Sequence, residues 1–166
     1  MIIVSDTSPL CYLAELGHLD LLPRLYGLVY CPPEVLAECL HEKAPFRLRQ
    51  WAESPPEWLI IMGHSAWDEP LLAEIDPGEA AAMKLYRDLH ADYLLADDLR
   101  ARMVAHELGI QVKGLIGILA DATLSGLIEF EDVIADLKRL TNFHISESVL
   151  NKVRAMLKKQ PPADHA

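Results

Sequence analysis

The chain has 166 residues, of which 51% are apolar, so it is long enough for one domain with a real core and is not intrinsically disordered. Its formal net charge is −10, whereas proteins that bind nucleic acids non-specifically show a basic face. No apolar run is long enough to cross a membrane, and the first residues do not form a signal peptide. We therefore expect a cytoplasmic protein with one domain over residues 1–160 and a disordered tail at 161–166.

The cysteines support the same compartment. Cys11, Cys31 and Cys39 are odd in number and form no CxxC motif. We interpret them as reduced, mostly buried thiols of a cytosolic protein. The negative net charge has two interpretations. Either bound cations reverse the local electrostatic field, or the acidic surface recruits a basic partner.

The first half of the chain alternates strand and helix patterns. A β-branched strand is predicted at 2–4, followed by a helix with Ser8 as N-cap and Pro9 at its first position, which ends at Gly17. The pattern then predicts a helix over 19–26, a strand over 28–30, a helix from Pro32 to Leu40, helical turns within 44–56, an edge strand over 58–62, and loop or weak helix up to Ile75.

The second half begins with a strong helix start. Asp76-Pro77-Gly78-Glu79 forms a capping-box pattern, and the helix runs to Leu89. The pattern then predicts a central strand over 93–96, a helix from Asp97 or Asp98 to Gly109, a strand over 110–112, an apolar helix over 115–124, and helices near 130–140 and 146–159. The alternation indicates an α/β fold with a central parallel sheet of about four to five strands, covered by helices on both faces.

Acidic residues follow two of the predicted strands. Asp6 comes after the first strand, and Asp97 and Asp98 come after the central one. In an open parallel sheet these strand ends are where ligands bind. Glu38 and Glu79 lie on helices that follow connections and can reach the same edge. Crowded carboxylates raise each other's pKa, and a hard cation such as Mg²⁺ or Mn²⁺ relieves that repulsion, which points to phosphoryl-transfer chemistry.

Each of these acids also has a purely structural interpretation. Asp6 could form an Asx-turn, and of Asp97 and Asp98 one could cap a helix while the other favours its dipole. A capping box explains Glu79 fully, and Glu38 could lie on a solvated helix face. No single acid decides between these interpretations, but their distribution over four elements favours a shared site.

Four stretches together resemble a PIN domain of the small prokaryotic VapC-like toxin subgroup. They read IIVSDTSPLCYLAELGHLDLL, PPEVLAECL, DPGEAAAMKL and YLLADDLRARMVAHELGIQVKG. The resemblance implies a Mg²⁺- or Mn²⁺-dependent ribonuclease with four catalytic acids. These match Asp6, Glu38, Glu79 and Asp98, with Asp97 as an alternative fourth acid and metal ligand because the tandem pair leaves the register open.

The resemblance also implies supporting residues and a mechanism. Ser8 matches the small hydroxyl residue that supports the first acid. A further acid that many PIN domains carry after the fourth is missing from residues 99–102, so one metal ion is at least as well supported as two. The implied reaction is metal-assisted hydrolysis, in which a cation lowers the pKa of the water that attacks the phosphodiester. Arg100, Arg102 and Lys113 could bind substrate phosphates, although ordinary surface charge also explains them.

The implied partners are an RNA substrate and a small antitoxin protein, with no membrane. The sequence leaves a homodimer open, with the apolar helix 115–124 as an exposed face that could form it. Two other functions stay in play. The −10 charge and the missing acid suit a non-catalytic PIN-fold protein that binds a partner. A Mg²⁺-dependent small-molecule phosphatase would use Asp6 as nucleophile, but Ser8 stands where such enzymes need a second Asp.

Overall fold

The computed structural model describes residues 1–160 and confirms the α/β fold. Five parallel strands form one sheet in the order β3-β2-β1-β4-β5. The strands are β1 (Ile3–Ser5), β2 (Val29–Cys31), β3 (Leu59–Ile61), β4 (Tyr93–Leu95) and β5 (Val112–Lys113). The predicted tail at 161–166 lies outside the described residues.

Helices fill the connections between the strands, and three more follow the last strand within residues 1–160. They are α1 (Thr7–Leu16), α2 (Leu21–Tyr26), α3 (Pro33–Leu40), α4 (Phe46–Ala52), α5 (Pro77–Leu89), α6 (Leu99–Glu107), α7 (Leu115–Leu124), α8 (Phe130–Leu140) and α9 (Glu147–Lys159), with a 3₁₀ helix at Pro70–Glu74. Parallel crossovers are right-handed, so the connections towards β2 and β3 and those towards β4 and β5 place their helices on opposite faces of the sheet. Within residues 1–160, no helix is long and apolar enough to span a membrane.

β1 is the buried centre of the sheet. Its Ile3 and Val4 side chains are fully buried, as a continuous apolar run predicts for a parallel strand that is covered on both faces. β1 pairs with β2 on one side and with β4 on the other, where Ser5 lies opposite Leu95. The residues that follow β1 and β4 therefore leave the sheet side by side.

The chain forms two compact units. The first covers residues 1–115 and contains the sheet; the second begins at Ile116 and contains α8, α9 and most of α7. Within the second unit, Arg154 pairs with Glu131 and Lys138 pairs with Glu147, exposed contacts that contribute little to stability. One domain over 1–160 stays a prediction.

Two local predictions are wrong. α1 begins at Thr7 with Asp6 as its N-cap residue, so Ser8 lies inside the helix rather than capping it. The hydroxyl of Ser8 instead accepts a hydrogen bond from the backbone N–H of Asp97, at 3.3 Å. The apolar helix α7 is not an exposed face, because Ile118, Leu119 and other apolar side chains along it are fully buried.

The strand order creates a crevice at one edge of the sheet. The chain leaves β1 towards β2 and leaves β4 towards β5, so the order reverses between these two neighbours. At such a switch point the flanking connections diverge and leave room for a ligand outside the carboxyl ends of the strands. Asp6 lies there, and its backbone N–H donates to the Leu95 carbonyl at 2.9 Å.

Candidate metal centre

A cavity of about 310 Å³ opens at this switch point. Four of the predicted acids line it, each from a different part of the chain: Asp6, Glu38, Glu79 and Asp98. The remaining lining comes from Thr7, Ser8, Cys11, Tyr12 and Asp76. The structure thus brings together the four acids of the predicted catalytic set, whereas Asp97 is not part of the lining.

Asp6 is the most buried acid of the cavity. Its residue is only 3% exposed, and its Oδ1 atom is buried without a hydrogen-bond partner. Burial raises the pKa of Asp6 to about 7; the N–H of Thr7 lowers it, and the charges of Glu79, Glu38 and Asp98 raise it further. An ionised Asp6 is therefore costly unless a positive charge reaches it.

Glu38 is held at the cavity by two hydrogen bonds. Its Oε1 atom accepts from the N–H of Gly78 at 3.1 Å, and its Oε2 atom accepts from the hydroxyl of Thr7. The carboxylate lies so close to the start of α5 that a Cβ atom at position 78 would collide with it. Glu38 therefore does not lie on a solvated helix face, and the glycine in the first turn of α5 leaves room for its carboxylate.

Glu79 combines the capping role with a place in the cavity. Its Oε2 atom accepts from the N–H of Asp76 at 3.0 Å, within the capping box that starts α5. Burial raises the pKa of Glu79 to about 7; the Asp76 N–H lowers it, and the charges of Asp98, Asp76 and Glu38 raise it. The structural and functional interpretations of Glu79 are therefore compatible.

The tandem acids after β4 face different surroundings. Asp98 caps α6 through its Oδ1 atom, which accepts from the Ala101 N–H at 2.9 Å, and it is exposed at the cavity. Asp97 accepts from the Leu115 N–H at 2.9 Å, at the start of α7, and its other oxygen is buried without a partner. Position in the cavity therefore favours Asp98 as the fourth acid.

Asp97 packs against the start of α7 and does not line the acidic cavity. Burial raises its pKa, while the Leu115 N–H and the charge of Arg102 lower it. Gly114 allows this close packing, because a Cβ atom there would lie 2.9 Å from the Asp97 carboxylate. Ser8, predicted to support Asp6, binds the backbone of Asp97 and so fixes the end of β4.

The three predicted phosphate-binding residues do not line the cavity. Arg100 forms an ion pair with Glu74. The Lys113 ammonium lies over the Tyr93 ring, 4.7 Å from its centroid. Arg102 lies near Asp97. Their role in binding RNA stays a prediction.

The carboxylates fit a hard divalent cation by their chemistry. They offer anionic oxygen donors, which Mg²⁺ and Mn²⁺ prefer, and the buried Oδ1 atom of Asp6 lacks a partner. Within residues 1–160, no three His, Cys, Asp or Glu side chains are arranged as a metal-ligand set. Glu38 and Glu79 instead accept hydrogen bonds from backbone N–H groups.

Two residues of the site were missed from the sequence. Thr7 directly follows Asp6, and its hydroxyl donates a hydrogen bond to Glu38, but no sequence pattern marks Thr7 as part of the site. Gly78 was assigned only to a helix start. A glycine in a helix costs about 1 kcal/mol relative to alanine, so its presence in the first turn was a signal of close approach.

The fold is α/β, with an acidic cavity at the switch point of its parallel sheet. A family model described as a PIN domain matches residues 2–159, so the chain belongs to the PIN domain family. No curated protein and no solved structure matches the chain. PIN domains are generally nucleases, and PIN nucleases typically use divalent metals. The VapC-like subgroup stays a prediction.

The contact between Gly78 and Glu38 can be tested by substituting alanine for Gly78, which adds a single methyl group. We expect Gly78→Ala to lack the gain of about 1 kcal/mol in the free energy of unfolding that alanine normally gives in a helix, because the added Cβ displaces the Glu38 carboxylate and breaks its hydrogen bond with the Gly78 N–H. Gly63→Ala is the matched control, since a Cβ there meets nothing within 4 Å. Urea denaturation in EDTA measures both. A gain in stability of about 1 kcal/mol for Gly78→Ala would contradict the contact.

The raised pKa of Asp6 predicts a specific pH dependence of stability without metal. Its carboxyl ionises near pH 4 when unfolded and near pH 7 when folded, so the folded state binds more protons between these values. Asp6 therefore lowers stability as pH rises from about 4 to about 7, by an amount on the order of 4 kcal/mol. Subtracting the unfolding profile of Asp6→Asn from that of the wild type isolates this contribution. If the free energies of unfolding of the two proteins differ by the same amount throughout this pH window, the raised pKa of Asp6 is contradicted.

Proposed function

We propose that this protein is a metal-dependent endoribonuclease that hydrolyses RNA phosphodiesters at the acidic cavity. Asp6, Glu38, Glu79 and Asp98 would hold Mg²⁺ or Mn²⁺. One observation supports this most: these four carboxylates, together with that of Asp76, line one cavity at the switch point of a PIN domain, and the most buried of them, Asp6, has an oxygen without a partner.

A divalent cation held there supplies Lewis-acid activation of water and of the phosphodiester. The chain itself positions the carboxylates. Asp6 is fixed between β1 and α1, and Glu38 is fixed by Thr7 and Gly78, so both are oriented before any ligand arrives. Such preorganisation lowers the cost of assembling the site.

The open side of the cavity carries the proton chemistry. Asp98 is exposed and Glu79 is half-buried, so both can meet an approaching phosphodiester. Because Asp6 and Glu79 both ionise near neutrality, cation binding releases their protons and strengthens as pH rises.

We further propose that the protein is the toxin of a toxin–antitoxin pair, held inactive by a small antitoxin protein. The resemblance to VapC-like proteins supports this role, and the −10 charge suits a partner with a basic surface. The phosphatase alternative is less well supported. Ser8 stands where a second Asp would be needed, and its hydroxyl is engaged by the Asp97 backbone.

Cleavage of a mixed RNA pool tests the enzyme directly. We expect cutting by the wild type with Mn²⁺ or Mg²⁺ and none in EDTA. Asp6→Asn and Asp98→Asn should each lose activity by about 100-fold or more, because removing a ligand costs at least as much as removing its support. Asn at position 98 keeps the acceptor that caps α6, so its fold should be retained.

The matched control is Asp20→Asn, which makes the same chemical change at an exposed residue beside α2, where its partner is Arg24. Its activity should equal that of the wild type. Absence of metal-dependent cutting by folded wild-type protein would refute the enzymatic proposal and favour the partner-binding alternative.

A further inference from the structure

A second cavity borders the acidic one. Its volume is about 470 Å³, and three residues, Thr7, Cys11 and Glu38, line both cavities. The rest of its lining is mostly apolar and comes from Ala37, His41, Lys43, Ala44, Pro45 and Leu48. An apolar depression large enough for a nucleobase therefore opens directly beside the carboxylates.

The segment that forms the far wall is basic in an acidic protein. Residues 41–49, which we call the α3–α4 segment, contain Lys43, Arg47 and Arg49 but only one acid, Glu42. None of these three cations forms an ion pair with a residue of the described range 1–160. By contrast, Arg24, Arg87 and Arg100 are all paired with carboxylates. Unneutralised positive charge thus concentrates beside the acidic cavity.

An exposed aromatic ring belongs to the same segment. Phe46 begins α4 and is 67% exposed, which is unusual for a side chain of this size. The Arg49 guanidinium lies 6.0 Å from the centre of its ring, and its Nε donates to the Ala44 carbonyl at 3.1 Å. Arg47 donates to the Glu15 carbonyl at the end of α1. The two arginines are therefore held in place by contacts within the first unit, one of them beside the Phe46 ring.

Aromatic rings beside cations are the arrangement by which proteins hold single-stranded RNA. Bases stack on the rings, and the cations follow the phosphates. The acidic cavity and the net charge of −10 repel a polyanion, so binding of RNA requires compensating cations close to the site. The α3–α4 segment is where this chain places them.

We propose that the α3–α4 segment and its apolar cavity are the binding site for the single-stranded RNA that flanks the scissile phosphate. One base enters the apolar cavity, and the next stacks on Phe46. Lys43 and Arg47 contact the phosphates between them. The choice of RNA as occupant rests on the proposed function.

Binding without hydrolysis tests this proposal separately from the enzymatic one. The probe is a short fluorescein-labelled single-stranded RNA of mixed sequence, titrated with protein in EDTA and followed by fluorescence anisotropy. We expect Lys43→Glu and Phe46→Ala each to raise Kd about tenfold, since stacking of one base is worth roughly 1–3 kcal/mol. For Lys43→Glu, the slope of log affinity against log salt should fall by about 0.7.

Two controls make matched changes elsewhere in the first unit. Arg24→Glu reverses one exposed charge on α2, and Leu28→Ala removes an apolar side chain that is 48% exposed before β2. Both should bind the RNA with wild-type affinity. If Lys43→Glu and Phe46→Ala also bind as the wild type does, the proposal is overturned.

The same variants distinguish a protein interface from an RNA site. Sedimentation of Phe46→Ala and the wild type measures their oligomeric state. A dimer that dissociates in Phe46→Ala with unchanged RNA affinity would make this face a subunit contact and overturn the proposal. RNA binding that depends on Lys43 and Phe46, in a protein that cuts no RNA, would support this site and refute the nuclease.

Discussion

The organisation of this protein depends on one costly feature, a buried carboxylate with no neutralising partner. Asp6 ends the central strand β1 at the point where strand order reverses, and its Oδ1 atom makes no hydrogen bond. Four further carboxylates line the same cavity, and the charges of Glu38, Glu79 and Asp98 add to the cost of burying Asp6. A fold keeps such an arrangement where a ligand of opposite charge repays it, which is why a cation site is the simplest account of the cavity.

The surrounding chain accepts local penalties that keep the acids together. Gly78 replaces a better helix former in the first turn of α5, and its N–H holds Glu38. Glu79 serves its helix as a cap and the cavity as an acid. Asp97 and Asp98 divide two tasks, one fixing the start of α7 and the other facing the cavity. Departures from local preference are expected at functional sites, and here they converge on one.

Much of this architecture is readable from local sequence pattern. The strands around Val4 and Leu94 are short apolar runs, the capping box at Asp76 marks a helix start, and acids after strands mark the ligand-binding edge. The features that local pattern does not predict depend on contacts between residues that are distant in the sequence. Pairing of Glu38 with Gly78 spans 40 residues. The contact with Leu115 distinguishes Asp97 from Asp98, and no local pattern predicts it. The partner of Arg100, Glu74, lies on a 3₁₀ helix in a segment without clear pattern.

Thermal unfolding at neutral pH with increasing Mn²⁺ tests the central claim most directly, because a cation that binds only the folded state raises its stability by mass action. In EDTA, Asp6→Asn should be at least as stable as the wild type, since it removes a buried charge. With Mn²⁺, the wild type should gain a saturable increase in Tm, and Asp6→Asn should gain little. A large loss of stability for Asp6→Asn in EDTA, together with an undiminished response to Mn²⁺, would show that Asp6 has a structural role and would contradict the account.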